Sequence, residues 1–372
     1  MQSETQTIAV SDRVVSVDAL RGFDMFWIVG GKTVVVALLG LLVDPLPDWL
    51  AYQLNHPEWT GFTAWDMIMP LFLFVVGTSM PLSFAKRIER GDSRGDLYRK
   101  IVRRTVVLFV LGMVVQGDLL AFDLAKLHLY CNTLQAIACG YLVAAVVMLH
   151  LPVIGQTTVM GVLLVVYWLL MTRVPIPGHG PGVLQPDANL ALLIDEIILG
   201  RFRDGTSYTW ILSGLGFAAT VLLGVLAGHL LRSGLRPLVK VAGLTAAGIG
   251  CLALGWFWDV RLGFPIIKHI WSSSMVLWAG GWSFLLLALF YAVIDVAGFR
   301  KWAFPFVVIG MNAITVYVGR HFVDFSDISS RLVGGLAEQL GAFGSFFHAL
   351  TAFLIMWWVL FYLYRNRTFI RI

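Results

Sequence analysis

The sequence predicts an all-α fold, a polytopic bundle of about ten membrane-spanning helices with both termini in the cytoplasm. Three observations carry this. Of 372 residues, 58% are hydrophobic and 13% charged, about half the ~25% charged share of a soluble domain. Apolar stretches recur along the chain, each near the ~20 residues that cross a bilayer core. Basic residues gather in alternate breaks between these stretches. The mean hydropathy of +0.81 fits a chain whose main partner is the lipid bilayer. The composition excludes a disordered chain, a fibrous chain and an ordinary soluble enzyme, and a β-barrel would show short alternating segments instead.

The spans fall at about 20–43, 65–84, 105–121, 133–150, 155–173, 209–231, 239–257, 271–295, 302–320 and 345–364. The first opens SVDALRGFDMFWIVGGK. It lies too far into the chain for a cleaved signal peptide, and it lacks a small-residue cleavage site. The second follows the polar segment NHPEWTGFTAWD, and the third follows the basic run KRIERGDSRGDLYRKIVRR. The fourth opens CNTLQAIACGY, and the fifth follows a short break at LPVIG. RSGLRPLVK separates the sixth from the seventh. The eighth opens KHIWSSSMVLWAGG, the ninth carries GMNAITVYVGRHF, and the tenth is rich in aromatics. No internal repeat, low-complexity tract or separate soluble region interrupts this pattern, so residues 1–372 are expected to form one membrane domain.

Sidedness follows from counting. With the N-terminus in the cytoplasm, the segments 1–21, 85–104, 150–155, 231–240, 297–301 and 365–372 hold 18 of the 27 Lys and Arg residues. The opposite loops hold eight, and Lys32 lies within the first span. Cytoplasmic loops carry such an excess. The net charge of +5 is therefore topology rather than a nucleic-acid signature. The far-side segments 43–64, 174–208 and 321–344 are longer and form a candidate cap. Within the second of these, NLALLIDEIILG reads as an amphipathic surface helix.

Polar groups at membrane depth are expensive and mark pairs or sites. Asp18 and Arg21 stand one helical turn apart and can pair. Asp24 is deeper, about two turns below Lys32. His56 and Glu58 precede the second span, Asp66 stands just inside it, and Trp59 and Trp65 flank the stretch. A histidine is the side chain best suited to move a proton near neutral pH, and a nearby carboxylate fixes its tautomer. Asn132 and Gln135 share a face of the fourth span, where they either glue helices or line a polar tunnel. Lys268, His269, Trp271 and Ser272 to Ser274 open the eighth span, and Asn312 is buried in the ninth. His150 and His229 read as interfacial, and His128, His179 and His348 stand alone. Cys131, Cys139 and Cys251 form no CxxC and read as small apolar residues. No metal-ligand spacing is present, nor a glycine-rich phosphate loop. An anionic cytosolic ligand would therefore be held by scattered Arg and Lys.

In order and spacing, RVVSVDALRGFDMFWIVGG, HPEWTGFTAWDMIMPLFLFVVGTSM, TLQAIACGYL, FPIIKHIWSSSMVLW and FPFVVIGMNAITVYV resemble the transmembrane heparan-α-glucosaminide N-acetyltransferase family and its bacterial homologues. Some of those homologues are labelled N-acetylglucosamine-related transporters. The resemblance covers nearly the whole chain. It implies a bacterial inner-membrane enzyme, a homodimer, that moves acetyl from cytosolic acetyl-CoA to the amine of a glucosamine-type sugar across the membrane. The family's active histidine matches His56, its aspartate at the start of the second span matches Asp66, and the tryptophan between them matches Trp59. Two departures stand out. Where the family commonly reads Leu-Gln-Arg in the fourth span, this chain has Leu134, Gln135 and Ala136, and the first span has no asparagine near Lys32.

On this reading His56 is the general base or transient acetyl acceptor, and Asp66 orients it. Arg21, Arg103 and Arg104 meet the phosphates of acetyl-CoA, Asn132, Gln135, Ser273 and Asn312 complete its binding site, and Asn312, Gln135 or one of Ser272 to Ser274 donates to the oxyanion. Glu58, Trp59, Lys268 and Trp271 contact the sugar. The alternative is a carrier of N-acetylglucosamine or a related sugar, which would more often show an internal repeat.

Overall fold

A computed structural model describes residues 14–369. Arg13 of the opening motif and both termini, read above as cytoplasmic, lie outside them. The protein is an all-α polytopic bundle whose only strands among the described residues are β1 (Pro175–Ile176) and β2 (Gly180–Pro181), a short antiparallel ribbon.

α1 (Val15–Phe26) and α2 (Lys32–Leu42) form one 28-residue span, opened in its middle by a π-turn over Trp27–Gly31. Gly30 takes φ 127° there, a conformation only glycine adopts without strain. The short α3 (Asp48–Gln53) follows in the loop. A 3-10 turn over Ala64–Met67 leads into α4 (Ile68–Glu89). α5 (Arg94–Gln116) starts at a capping box of Ser93 and Asp96. α6 (Thr133–His150), α7 (Val153–Arg173), α8 (Leu190–Leu199), α9 (Gly214–Arg232) and α10 (Pro237–Leu262) come next. α11 (Ser273–Phe290) closes with a π-turn to Val296. Then come α12 (Phe304–Met311), α13 (Ala313–Phe322), α14 (Phe325–Gln339) and α15 (Ala342–Arg365).

Among the described residues, eight helices are long and apolar enough to cross a bilayer, or nine if the bent pair around Asn312 counts as one span. The sequence reading expected about ten. The difference is the stretch at 105–121, which belongs to α5. The first half of α5 carries Arg94, Asp96, Arg99, Lys100, Arg103 and Arg104, so only its second half is apolar. The expected ninth span is also not one rod: α12 and α13 meet at 63°.

Burial sorts the spans. The apolar stretches of α4 and α9 are 72% buried, against 17% for α7, α10 and α15. The first pair is therefore the core of the bundle and the others are its rim. α4 and α9 touch backbone to backbone. A Cβ on Gly77 would stand 2.0 Å from the Val221 carbonyl, and one on Gly224 would stand 2.0 Å from that of Phe74. Small residues permit this approach in lipid, where dispersion rather than the hydrophobic effect holds helices together.

At the end where α4 begins, the long loops fold over one another. Gly61 N donates to the Ile266 carbonyl at 2.9 Å, Trp59 Nε1 to that of Leu184 at 2.7 Å, and Thr209 N to that of His269 at 3.0 Å. α8 belongs to this cap. Leu190, Ala191, Leu192 and Leu199 are buried while Ile197 and Ile198 face out. Asp195 anchors it, accepting from Trp210 N at 2.7 Å and Ile211 N at 2.9 Å. Burial pushes the Asp195 carboxyl up to about 6.

Candidate active site

The site is assembled where the 43–64 loop turns into α4. Thr63 is the last extended residue before the 3-10 turn, and its N–H donates to Asp66 Oδ2 at 3.1 Å. The Thr63 hydroxyl lies 3.2 Å from the same oxygen and 2.8 Å from the Asn55 carbonyl, so its single proton serves one of them. The turn thus fixes Asp66, 1% exposed, with Oδ1 aimed back at the loop. That oxygen accepts from His56 Nδ1 at 2.6 Å and lies 3.3 Å from Lys268 Nζ.

Each contact has a chemical consequence. A carboxylate accepts only, so His56 carries its proton on Nδ1 and leaves Nε2 as the basic nitrogen. The His56 side chain is 39% exposed, so a reactant can reach it. Lys268 is buried, and burial holds its ammonium below the ordinary lysine range, opposed in part by Asp66. One carboxylate therefore faces an imidazole on one side and an ammonium on the other.

The loop between α10 and α11 brings Lys268 here. Gly263 ends α10 in the left-handed conformation. Ser272 then caps α11, accepting from Met275 N at 3.3 Å and from Ile267 N at 3.0 Å, and donating to Pro265 O at 2.8 Å. Next to Lys268, the His269 ring stacks on Trp59 at 5.2 Å and 18°, and lies 4.3 Å from the Tyr208 ring. Burial, with Lys268 and His56 nearby, pushes His269 down to about 4, so it is neutral at physiological pH. Tyr208 is pushed up to about 12 by burial and stays a phenol. The sequence reading did not place His269 and Tyr208 in the site. Their partners come from separate loops, and only the neighbouring Lys268 and Trp271 signalled the region.

The structure brings together His56, Asp66, Lys268 and Trp59, with Glu58 exposed on the same loop. It puts the other sequence candidates elsewhere. Trp271 is 2% exposed. It packs edge-on to Phe217 and donates its N–H to Thr220 Oγ1 at 3.1 Å, so no ring face is open to a sugar. Asn132 and Gln135 form the capping box of α6. Asn132 Nδ2 also donates to Gln116 Oε1 at 3.1 Å, and Gln135 Nε2 to Leu129 O at 2.6 Å. Ser273 donates to Leu164 O at 2.8 Å, tying α11 to α7. These four residues serve packing and capping, because each polar group already has a partner. Asn312 sits at the α12–α13 break, buried, with neither side-chain polar atom hydrogen-bonded among the described residues. Arg21 pairs with Asp18 at 3.4 Å and donates to Ser79 Oγ at 2.6 Å. Arg103 is exposed, and Arg104 lies over the Tyr141 ring at 4.5 Å.

The class these features define is a multi-pass membrane protein with an oriented, accessible histidine at one end of its bundle. Residues 13–255, more than half the chain, match the family model described as "Heparan-alpha-glucosaminide N-acetyltransferase, catalytic", and the chain belongs to that family. It is 28% identical over 332 residues to the mouse heparan-alpha-glucosaminide N-acetyltransferase, covering 73% of this chain and 50% of that protein. It is 26% identical over 368 residues to the human one, covering 84% and 53%. The chain therefore spans about half the length of these curated relatives.

Proposed function

We propose that this chain is a membrane-embedded acetyltransferase. It moves the acetyl group of cytosolic acetyl-CoA to the amine of a glucosamine-type sugar at the opposite face. The observation that carries this reading is the His56–Asp66–Lys268 cluster in an open loop mouth, 2.6 Å and 3.3 Å across its two contacts. The names of the mouse and human relatives support the acyl group and the acceptor class. The basic segment 86–104 supports a cytoplasmic side at the other end of the bundle. The protein is then a multi-pass protein of a bacterial inner membrane with both termini inside, working as a homodimer of single-domain chains.

A thioester is already activated, so the protein must position the reactants, take a proton and stabilise an oxyanion. The amine nitrogen attacks the carbonyl carbon. The C–N bond forms, the C–S bond breaks and coenzyme A leaves. His56 Nε2 takes the amine proton, or carries the acetyl group itself in a two-step route, while Asp66 holds the ring and compensates the imidazolium. Trp59 offers the sugar a face. Arg103 and Arg104 would meet the donor phosphates. Asn312, whose amide is unpaired among the described residues, would meet the donor's arm or the oxyanion. The broken α12–α13 span also favours a second reading, since discontinuous helices build the midplane sites of carriers. That reading is a sugar transporter on the same scaffold.

The test is calorimetry of acetyl-CoA with the purified protein, followed by glucosamine. Donor binding and release of coenzyme A on adding the amine, with release lost in His56→Ala, support the transferase. Sugar uptake into vesicles with no donor binding supports the carrier.

A further inference from the structure

A cavity of about 510 Å³ opens beside the site, between α1, the start of α4 and α11. Its size is that of a small-molecule site. Its lining is apolar except at Gln53, whose side-chain oxygen already accepts from Ala64 N at 2.8 Å, and at two other places. One is Thr63, whose N–H donates to the carboxylate holding His56. The other is Asp24, 1% exposed, whose two carboxylate oxygens have no hydrogen-bond partner among the described residues. Four indoles complete the wall: Trp27, Trp65, Trp278 and Trp282.

A carboxyl group buried in apolar surroundings calls for a partner. The rest of the lining says which kind. A divalent metal ion would need several more oxygen ligands, and the lining side chains add only the Thr63 hydroxyl and the Gln53 amide oxygen, both already hydrogen-bonded. Indole faces attract organic cations better than any other side chain does. One wall already shows this: Lys32 Nζ stands 4.0 Å over the Trp65 ring. A carboxylate at depth with indoles around it is the chemistry of a primary ammonium on a small, partly apolar molecule.

We propose that this cavity is the subsite that gathers the acceptor's ammonium group, with Asp24 as its counter-ion and the indoles packing the flat faces of the sugar. The inference rests on the transferase reading for the sugar, and on the cavity alone for the ammonium.

The experiment measures binding with no acetyl donor present. Glucosamine and N-acetylglucosamine are titrated into the full chain in lipid nanodiscs, by calorimetry and tryptophan fluorescence, with Asp24→Asn alongside. Asp24→Asn should weaken glucosamine at least tenfold and leave N-acetylglucosamine, which has no charge, unchanged. Equal glucosamine affinity in both proteins overturns the proposal. So does equal weakening of both sugars, or no binding of glucosamine by the unaltered chain. If Asp24→Asn does not fold, Trp278→Leu, which removes a face offered to both sugars, should weaken both, and unchanged affinity for both overturns the proposal. Asp24-dependent glucosamine binding without acetyl transfer would leave this subsite standing and remove the transferase. Transfer without Asp24-dependent binding would do the reverse.

Discussion

Lys268→Met tests the logic of the site most sharply, because it removes one of the two groups that share Asp66. Nζ stands 3.3 Å from Oδ1 and both side chains are buried. At an effective dielectric near 20 that pair interacts by about 5 kcal/mol, and breaking a buried pair from one side typically costs about 3–5 kcal/mol. Part of this appears as lost stability. The rest falls on His56, the remaining cation-forming partner at 2.6 Å. Without the ammonium, the carboxylate favours the imidazolium form, and an imidazolium cannot take a proton from the amine. The rate therefore falls at neutral pH and recovers toward higher pH. Lys268→Arg keeps the charge and restores most of the rate. The assay is coenzyme A release with glucosamine between pH 5.5 and 9, after thermal unfolding confirms that the variant is folded. A wild-type profile in Lys268→Met would refute the claim that Lys268 sets the charge on the His56–Asp66 pair.

The remaining predictions address other parts of the structure. Asp66→Asn keeps the shape but releases the tautomer of His56 and leaves Lys268 unpaired. Turnover should fall about 10²- to 10⁴-fold, read by the same assay. His269 binds its proton only near pH 4 in the folded state, against an ordinary value near 6.5. Stability is thus full above about 6.5 and is lost as pH falls toward 4, by about 1–2 kcal/mol after allowance for the partly exposed ring. Melting temperatures across that window should drop in the wild type and flatten in His269→Phe. Gly224→Val drives a side chain into the Phe74 carbonyl and should destabilise the α4–α9 core by about 1–3 kcal/mol or more, seen as a lower melting temperature in detergent.

Much of the architecture was legible because lipid simplifies the code: nearly every span announces itself as an apolar run. α5 was mis-bounded because its first half is charged, and the break at Asn312 was invisible because no proline marks it. The His56–Asp66 pair was legible because it is local, ten residues apart across one turn. Lys268 was legible only as an oddly polar residue at the head of a span, since its pairing with Asp66 is made by tertiary folding. His269 was passed over for the same reason, its stacking partners Trp59 and Tyr208 lying in two other loops. Asn132 and Gln135 read as either helix glue or tunnel residues, and an asparagine followed three positions later by a glutamine is also a capping box, which they form. Asp24 was conspicuous in the sequence, but only the structure showed the indole-lined cavity beside it.

In the proposed reaction acetyl passes from one face of the membrane to an amine at the other, through His56. Sealed vesicles containing the protein, with acetyl-CoA outside and glucosamine inside, measure this directly by mass spectrometry of the contents. N-acetylglucosamine is expected inside vesicles carrying the wild-type chain and none with His56→Ala. No product from the wild type, or equal product from His56→Ala, would contradict it.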